Sequence, residues 1–425
     1  MTRAAEAPPA SGPDRGQRLH AFDALRAASI LGIFLWHAGL AYSDPPLRFW
    51  PVEDPARSWT FAFGLWFTRG FRLATFFVMS GFFGRLALTR TTPVGFLGQR
   101  LLRIGVPFVV TLVAYSVWLP HAPGGIVRLS PASGLWPPQD LRPLHLWFLE
   151  SLLIISAVVL LLALLLPRVL PAGLLAAGRA WFGARFDRGW APLLLVPVTV
   201  AILRSQGGQF PRTSPSSLVP DPDALLYFGV FFTFGWLLHM QSGALQRLCR
   251  HAWSWIGAGL LVRALTLIPL LPDGRPAWAP SPHYLERSIA VSDGDELLVQ
   301  IGTELYAWLM VFGLMGLFLR LFRREIPVLR WIADGAYWLY LVHLAPVLLL
   351  QWALAQVAPE AVSPGAAWLR FGGVVVGSLA VILVSYELLV RYTPVGRLLH
   401  GPRRRPAAGR SAAWRWRPPD ADPSA

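Results

Sequence analysis

The apolar residues of this chain are gathered into long runs, and the runs recur along almost all of its 425 residues. A bilayer core accepts a helix of roughly 20 apolar residues, because each backbone N–H and C=O must be satisfied within the segment itself. About ten stretches reach or approach that length: residues 24–41, 70–88, 104–118, 145–166, 191–203, 224–238, 252–271, 302–319, 331–357 and 371–390. The fifth is short and carries Pro192 and Pro197. An aromatic stretch at 59–67 precedes the second run and is expected at the membrane interface. The chain is 54% hydrophobic and 14% charged, little more than half the charged fraction of a soluble domain. The fold class expected is an all-α integral membrane protein with about ten transmembrane helices.

Arginine placement orients that bundle. With the N-terminus inside, the inner loops hold Arg90, Arg100 and Arg103, then Arg168, Arg179, Arg185 and Arg188, Arg247 and Arg250, Arg320, Arg323, Arg324 and Arg330, and Arg391 onward. Most aspartates fall on the other side, among them Asp44, Asp54, Asp140, Asp221, Asp223 and Asp273. Cytoplasmic loops are enriched in arginine, so both termini are expected to be cytoplasmic. The formal net charge of +15 therefore reads as topology and lipid-headgroup contact, not as a nucleic-acid surface. Residues 1–19 and 396–425 read as disordered tails around one membrane domain at 20–395. The first run reads as a retained helix with no cleavage site behind it. One cysteine, Cys249, excludes an intrachain disulfide. No internal repeat is visible.

Within this frame the ionisable residues inside the apolar runs carry the information, since such groups are costly in a membrane and mark pathways or reaction centres. Arg26 and His37 are 11 residues apart in the first run. On an α-helix that is about three turns, a rise of about 16 Å, with both side chains on one face. His37, Glu150, Glu304 and Arg72 all fall near the outer ends of their runs. A carboxylate beside an imidazole would orient it as a general base. An Arg72–Glu150 pair that only compensates buried charge accounts for those two residues equally well. His37 would take its partner from another helix, Glu150 first and Glu304 second. His343, placed mid-helix, is either a second polar wall or a packing residue. At the inner side Arg85, Arg100 and Arg103 flank a turn, the last two as an i, i+3 pair on one helical face. They suit either phosphate or lipid headgroups. No Gly-rich phosphate loop, HExxH or GxSxG is present.

Five short motifs in order resemble the acyltransferase 3 family of bacterial membrane O-acyltransferases over roughly residues 20–395, nearest to the glucan succinyltransferases of the OpgC type. They are Arg26 with His37, Arg72 with Phe76-Phe77-Val78-Met79-Ser80-Gly81, and Arg100-Leu101-Leu102-Arg103 with Pro107. The remaining two are His145-Leu146-Trp147-Phe148-Leu149 and Tyr340-Leu341-Val342-His343. The chain departs from the subgroup in having Leu344-Ala345-Pro346 after the late histidine.

The resemblance implies transfer of a succinyl or acetyl group from cytoplasmic acyl-CoA to a hydroxyl of a periplasmic or extracellular glycan, in the bacterial inner membrane and without a metal. It implies His37 as general base, Arg26 and Arg72 orienting the donor or stabilising charge, and CoA phosphates near Arg85, Arg100 and Arg103. Ser80, Trp147, Glu304 and His343 would line the substrate cavity, with Glu150 in the catalytic layer. The competing expectation is a transporter or flippase for a lipid-linked or sugar substrate.

Overall fold

The computed structural model describes residues 20–47, 49–123, 142–187, 191–207, 218–241, 243–266 and 293–400. The two expected tails lie outside these residues, apart from the stretch at 396–400. Among the described residues every named element is helical. The helices in chain order are α1 (His20–Gly39), α2 (Trp59–Arg69), α3 (Arg72–Leu88), α4 (Pro93–Arg100), α5 (Val106–Trp118), α6 (Trp147–Val169), α7 (Ala172–Asp187) and α8 (Ala191–Ser205). They continue with α9 (Pro222–His239), α10 (Ala244–Arg250), α11 (Ala252–Leu265), α12 (Asp293–Leu321), α13 (Pro327–Val342), α14 (Leu344–Ala355), α15 (Pro364–Ser385) and α16 (Pro394–His400).

Local chemistry sets the starts. Thr92, Asp221 and Ser363 each precede a proline that opens a helix, and each side chain accepts a hydrogen bond from a backbone N–H of the first turn. Proline supplies the helical φ where its missing N–H costs nothing, and the cap satisfies one of the orphan donors. Proline also sets two interruptions. Pro107 cannot donate to the carbonyl four residues back, and the backbone upstream of it, Leu101–Gly105, winds as a π-helix between α4 and α5. Pro346 has the same effect behind His343, where α13 and α14 meet at 66°.

Over the described residues the ten apolar runs are largely helical, but they are not ten equal spans. Six helices are long and apolar enough to cross a membrane, or up to eight if each of two bent pairs is one span. The fifth and seventh of the ten runs are described as shorter apolar helices, Leu193–Ser205 and Ala252–Leu265, and residues 267–271 of the seventh lie outside the described residues. The aromatic stretch at 59–67 is helix α2, grouped with α3 in one 30-residue apolar span, Trp59–Leu88. Its rings pack against protein, with Phe61 at 4.5 Å from Trp368 and 5.1 Å from Phe371 between ring centres.

Helix α12 is the buried centre, with Tyr306, Ala307, Trp308 and Val311 wholly enclosed. The tightest crossing is α3 on α9. A Cβ on Gly81 would sit 1.9 Å from the Phe232 carbonyl oxygen, and one on Gly235 would sit 1.9 Å from that of Val78. Small residues let membrane helices approach to backbone contact, which is the work of Gly81 in the Ser-Gly motif. Helices α1 and α3 run antiparallel: Trp36 meets Arg72 at one end, and Arg26 meets Phe83 at the other. By contrast Val109, Val110 and Val117 of α5 and Val376, Val381 and Leu388 near α15 are exposed. An outer face of aliphatic side chains around a bundle with a polar interior is what lipid as solvent demands. The chain is a multi-pass helical membrane protein.

Candidate active site

The last turn of α1 carries His37, and the proline-broken junction of α13 and α14 carries His343 against it. His343 Nε2 lies 3.2 Å from His37 Nδ1. His37 Nδ1 also lies 3.0 Å from the Ile33 carbonyl oxygen one turn back. His343 Nδ1 faces two carbonyls of its own helix, Tyr340 at 2.8 Å and Leu339 at 3.1 Å. His343 is therefore at a helix break, not mid-helix as the apolar pattern suggested. Tyr115 of α5 satisfies the break: its hydroxyl donates to the Leu341 carbonyl at 3.3 Å and accepts from the Ala345 N–H at 3.2 Å.

A third imidazole completes the layer. The His145 ring centre is 4.8 Å from that of His343 and 6.4 Å from that of His37. Its Nε2 lies 3.3 Å from the Leu341 carbonyl, and its own carbonyl accepts the Tyr340 hydroxyl. His145 was visible in sequence only as the first letter of a motif. Gln351 of α14 was not visible at all, yet it donates to the carbonyls of His37 at 3.1 Å and Ala38 at 3.0 Å, fixing the end of α1.

The loop between α1 and α2 closes over this layer. Trp50 donates to Gln351 Oε1 at 2.9 Å, and its ring centre lies 5.7 Å from that of His37. The loop is pinned by a buried ion pair, Arg370 to Asp54 at 2.5 Å, with Arg370 also capping the carbonyls of Val357 and Ala358. A bridge between Ser43 and Ser58 ties its two ends.

Arg72 enters from the start of α3. It is 9% exposed, and its guanidinium carbon sits 4.5 Å above the Trp36 ring. Its Nε has no partner, and its terminal nitrogen reaches only Thr68 Oγ1 at 3.5 Å. Among the described residues no carboxylate pairs with it, so the Arg72–Glu150 ion pair does not form. A buried guanidinium without a counter-charge is expensive.

Neither carboxylate partners His37. Glu150 is half-buried in the first turn of α6 and hydrogen-bonds none of the three histidines. Glu304 is fully buried elsewhere, between α9 and α12, where Tyr227 donates to it at 3.0 Å. The partner that spacing could not identify is a histidine 306 residues away. Of the other expected lining residues, Trp147 packs its ring 5.5 Å from Phe228 and Ser80 is half-buried beside the Gly81 crossing.

The opposite end of α3 gathers cations. Arg85 lies 5.6 Å over the Trp236 ring, and Arg100 lies 5.1 Å over the Phe96 ring. An Arg100 terminal nitrogen comes within 3.2 Å of where a Cβ on Gly84 would be, so Gly84 leaves it room beside α3. Arg103 is exposed. It lies in the π-helix Leu101–Gly105, whose first flanking residue is Arg100. Arg26 lies 5.4 Å over the Phe83 ring and 3.7 Å from Asp23, an i, i+3 contact, far down α1 from His37. Among the described residues no group of three or more His, Cys, Asp or Glu is placed to hold a metal ion.

Among the described residues the geometry is an imidazole, His37, whose Nε2 makes no hydrogen bond, an arginine, Arg72, that pairs with no carboxylate, and an arginine patch at the far end of the same helix pair. Comparison with known proteins then fixes the family. Residues 19–389 match the acyltransferase domain model of the acyltransferase 3 family. No curated protein and no solved structure matches the chain. The match spans the bundle and all five motifs, and the chain belongs to the acyltransferase 3 family of membrane acyltransferases.

Proposed function

We propose that the protein is a membrane O-acyltransferase of the bacterial inner membrane, moving a succinyl or acetyl group from cytoplasmic acyl-CoA to a hydroxyl of an extracytoplasmic glycan. The observation that carries this is His37. Its Nδ1 is occupied by Ile33 and His343, and its Nε2 makes no hydrogen bond among the described residues. That nitrogen takes the proton of the acceptor hydroxyl as the oxygen attacks the thioester carbonyl carbon. The tetrahedral intermediate collapses, the C–S bond breaks, and the CoA thiolate leaves with the proton returned by His37. Arg72 offers its unpaired guanidinium to the developing oxyanion or to an anionic acyl group. With both termini cytoplasmic, Arg85 and Arg100 face the compartment that holds CoA and receive its phosphates, with Arg26 and Arg103 at the same mouth. Ser80 and Trp147 then line the path of the acyl chain.

The break at His343 favours one competing reading, since transporters place discontinuous helices at their substrate sites. Acyl-donor dependence separates the two. Envelope glycans from cells with and without the protein are compared by mass spectrometry, and the purified protein is incubated with succinyl-CoA or acetyl-CoA. Loss of an acyl mass increment without the protein, together with thermal stabilisation by one acyl-CoA, is expected. An unchanged glycan mass profile and no response to either acyl-CoA would favour transport.

A further inference from the structure

We infer that His343 is a positioning residue that sets the proton on His37 Nδ1 and thereby leaves the lone pair on Nε2; this rests on the acyl-transfer reading above. His343 Nδ1 faces only acceptors, the carbonyl oxygens of Tyr340 at 2.8 Å and Leu339 at 3.1 Å. A lone pair there would oppose both, so Nδ1 carries the hydrogen and donates it. In a neutral imidazole the other nitrogen, Nε2, is then an acceptor. His37 Nδ1, 3.2 Å away, must supply the hydrogen of that contact. The same hydrogen faces the Ile33 carbonyl at 3.0 Å, which is again an acceptor. The opposite assignment would set lone pairs against three carbonyl oxygens at once. With Nδ1–H fixed, His37 Nε2 is the unprotonated nitrogen and the only one able to take a proton from a hydroxyl.

The arrangement does for His37 what a carboxylate does in a hydrolase triad: it selects the tautomer and orients the ring. Here the orienting group is a second imidazole whose own tautomer is set by a helix break. Pro346 creates that break, and Tyr115 bridges the backbone groups of Leu341 and Ala345 on either side of it. Among the described residues no carboxylate ion-pairs with either ring, so the Nδ1 hydrogen of His37 is shared only between His343 Nε2 and the Ile33 carbonyl. The glycan hydroxyl therefore meets a base prepared before it arrives.

Two measurements test this on the full-length protein in detergent or nanodiscs. The first is nitrogen-15 NMR of histidine-labelled protein, with His37 and His343 assigned by their loss in His37→Gln and His343→Gln. Expected are a protonated Nδ1 and an unprotonated Nε2 at both residues; an unprotonated Nδ1 at His37 overturns the proposal. The second compares His343→Leu, which removes the acceptor, with His343→Gln, whose amide oxygen replaces Nε2. His343→Leu is expected to lower kcat about 100-fold or more with KM for acyl-CoA within about twofold, and His343→Gln to recover most of the loss. Equal loss in both variants, or kcat unchanged in His343→Leu, overturns it. If the wild-type protein transfers no acyl group, the functional reading fails, and the NMR result alone decides whether His343 sets the His37 tautomer.

Discussion

Trp50 donates its indole N–H to Gln351 at 2.9 Å, and Gln351 in turn holds the carbonyls of His37 and Ala38. One amide therefore joins the loop after α1, the end of α1 and helix α14 around the candidate base. Replacing it by Gln351→Leu leaves a buried indole donor and two carbonyls without that partner, a cost of about 1–3 kcal/mol per orphaned group. The expected outcome is a lower midpoint of thermal unfolding in detergent together with slower acyl transfer. A variant with wild-type values of both would show that Gln351 does not organise the site.

The Asp54–Arg370 pair anchors the same loop. Both side chains are nearly fully enclosed, at 0% and 8% exposure. Removing one partner strands the other charge, so Asp54→Asn or Arg370→Met alone is expected to cost about 3–5 kcal/mol. The double variant is expected to cost less than the two singles added together. A thermodynamic cycle from thermal unfolding measures this, and simple additivity would mean the two residues do not act as a pair.

Gly81 and Gly235 test the helix crossing that aligns the histidine end with the arginine end. Gly81→Ala places a methyl 1.9 Å from the Phe232 carbonyl oxygen, and helix α9 must move away. Overpacking of this kind costs about 1–3 kcal/mol or more. Gly32→Ala in α1, where no atom lies within 4 Å, is the control. Fluorescence-detected size-exclusion after heating should separate the two variants clearly; equal thermal behaviour would contradict the close crossing.

Much of this bundle was legible in the sequence. Run length alone located most of the long apolar helices, because lipid forces the backbone to satisfy itself. Arg26 with His37 marked opposite ends of α1. Periodicity assumes a regular helix, however, so it placed His343 mid-helix, and Pro346 was the local signal against that. Glu150 was the expected partner of His37 because carboxylates commonly orient imidazoles. Its failure to do so is non-local: the partner lies 306 residues away and meets His37 only after α13 has been broken and packed. Gln351 and Trp50 escaped for the same reason, since nothing in the spacing of either run brings them to α1.

The arginine patch gives a prediction of a different kind. If Arg85 and Arg100 receive the phosphates of CoA, then Arg85→Ala and Arg100→Ala should weaken acyl-CoA binding about tenfold or more each, since a charge-assisted hydrogen bond is worth about 1.5–3 kcal/mol. The turnover of bound donor should change far less. Arg168→Ala, on the exposed end of α6, should leave binding as it was. Titration of each variant with acyl-CoA reads this directly, and equal affinity in all three would remove these arginines from the donor site.

The central claim is that His37 is the base for acyl transfer, and it is tested most directly by His37→Ala in cells and in purified protein. Expression, detergent stability and acyl-CoA binding should remain near wild type, because the residue lies at the opposite end of α1 from the arginine patch. The acyl mass increment on the acceptor glycan should disappear, with transfer reduced by at least about 100-fold. Transfer at the wild-type rate in a stable His37→Ala protein would contradict the account.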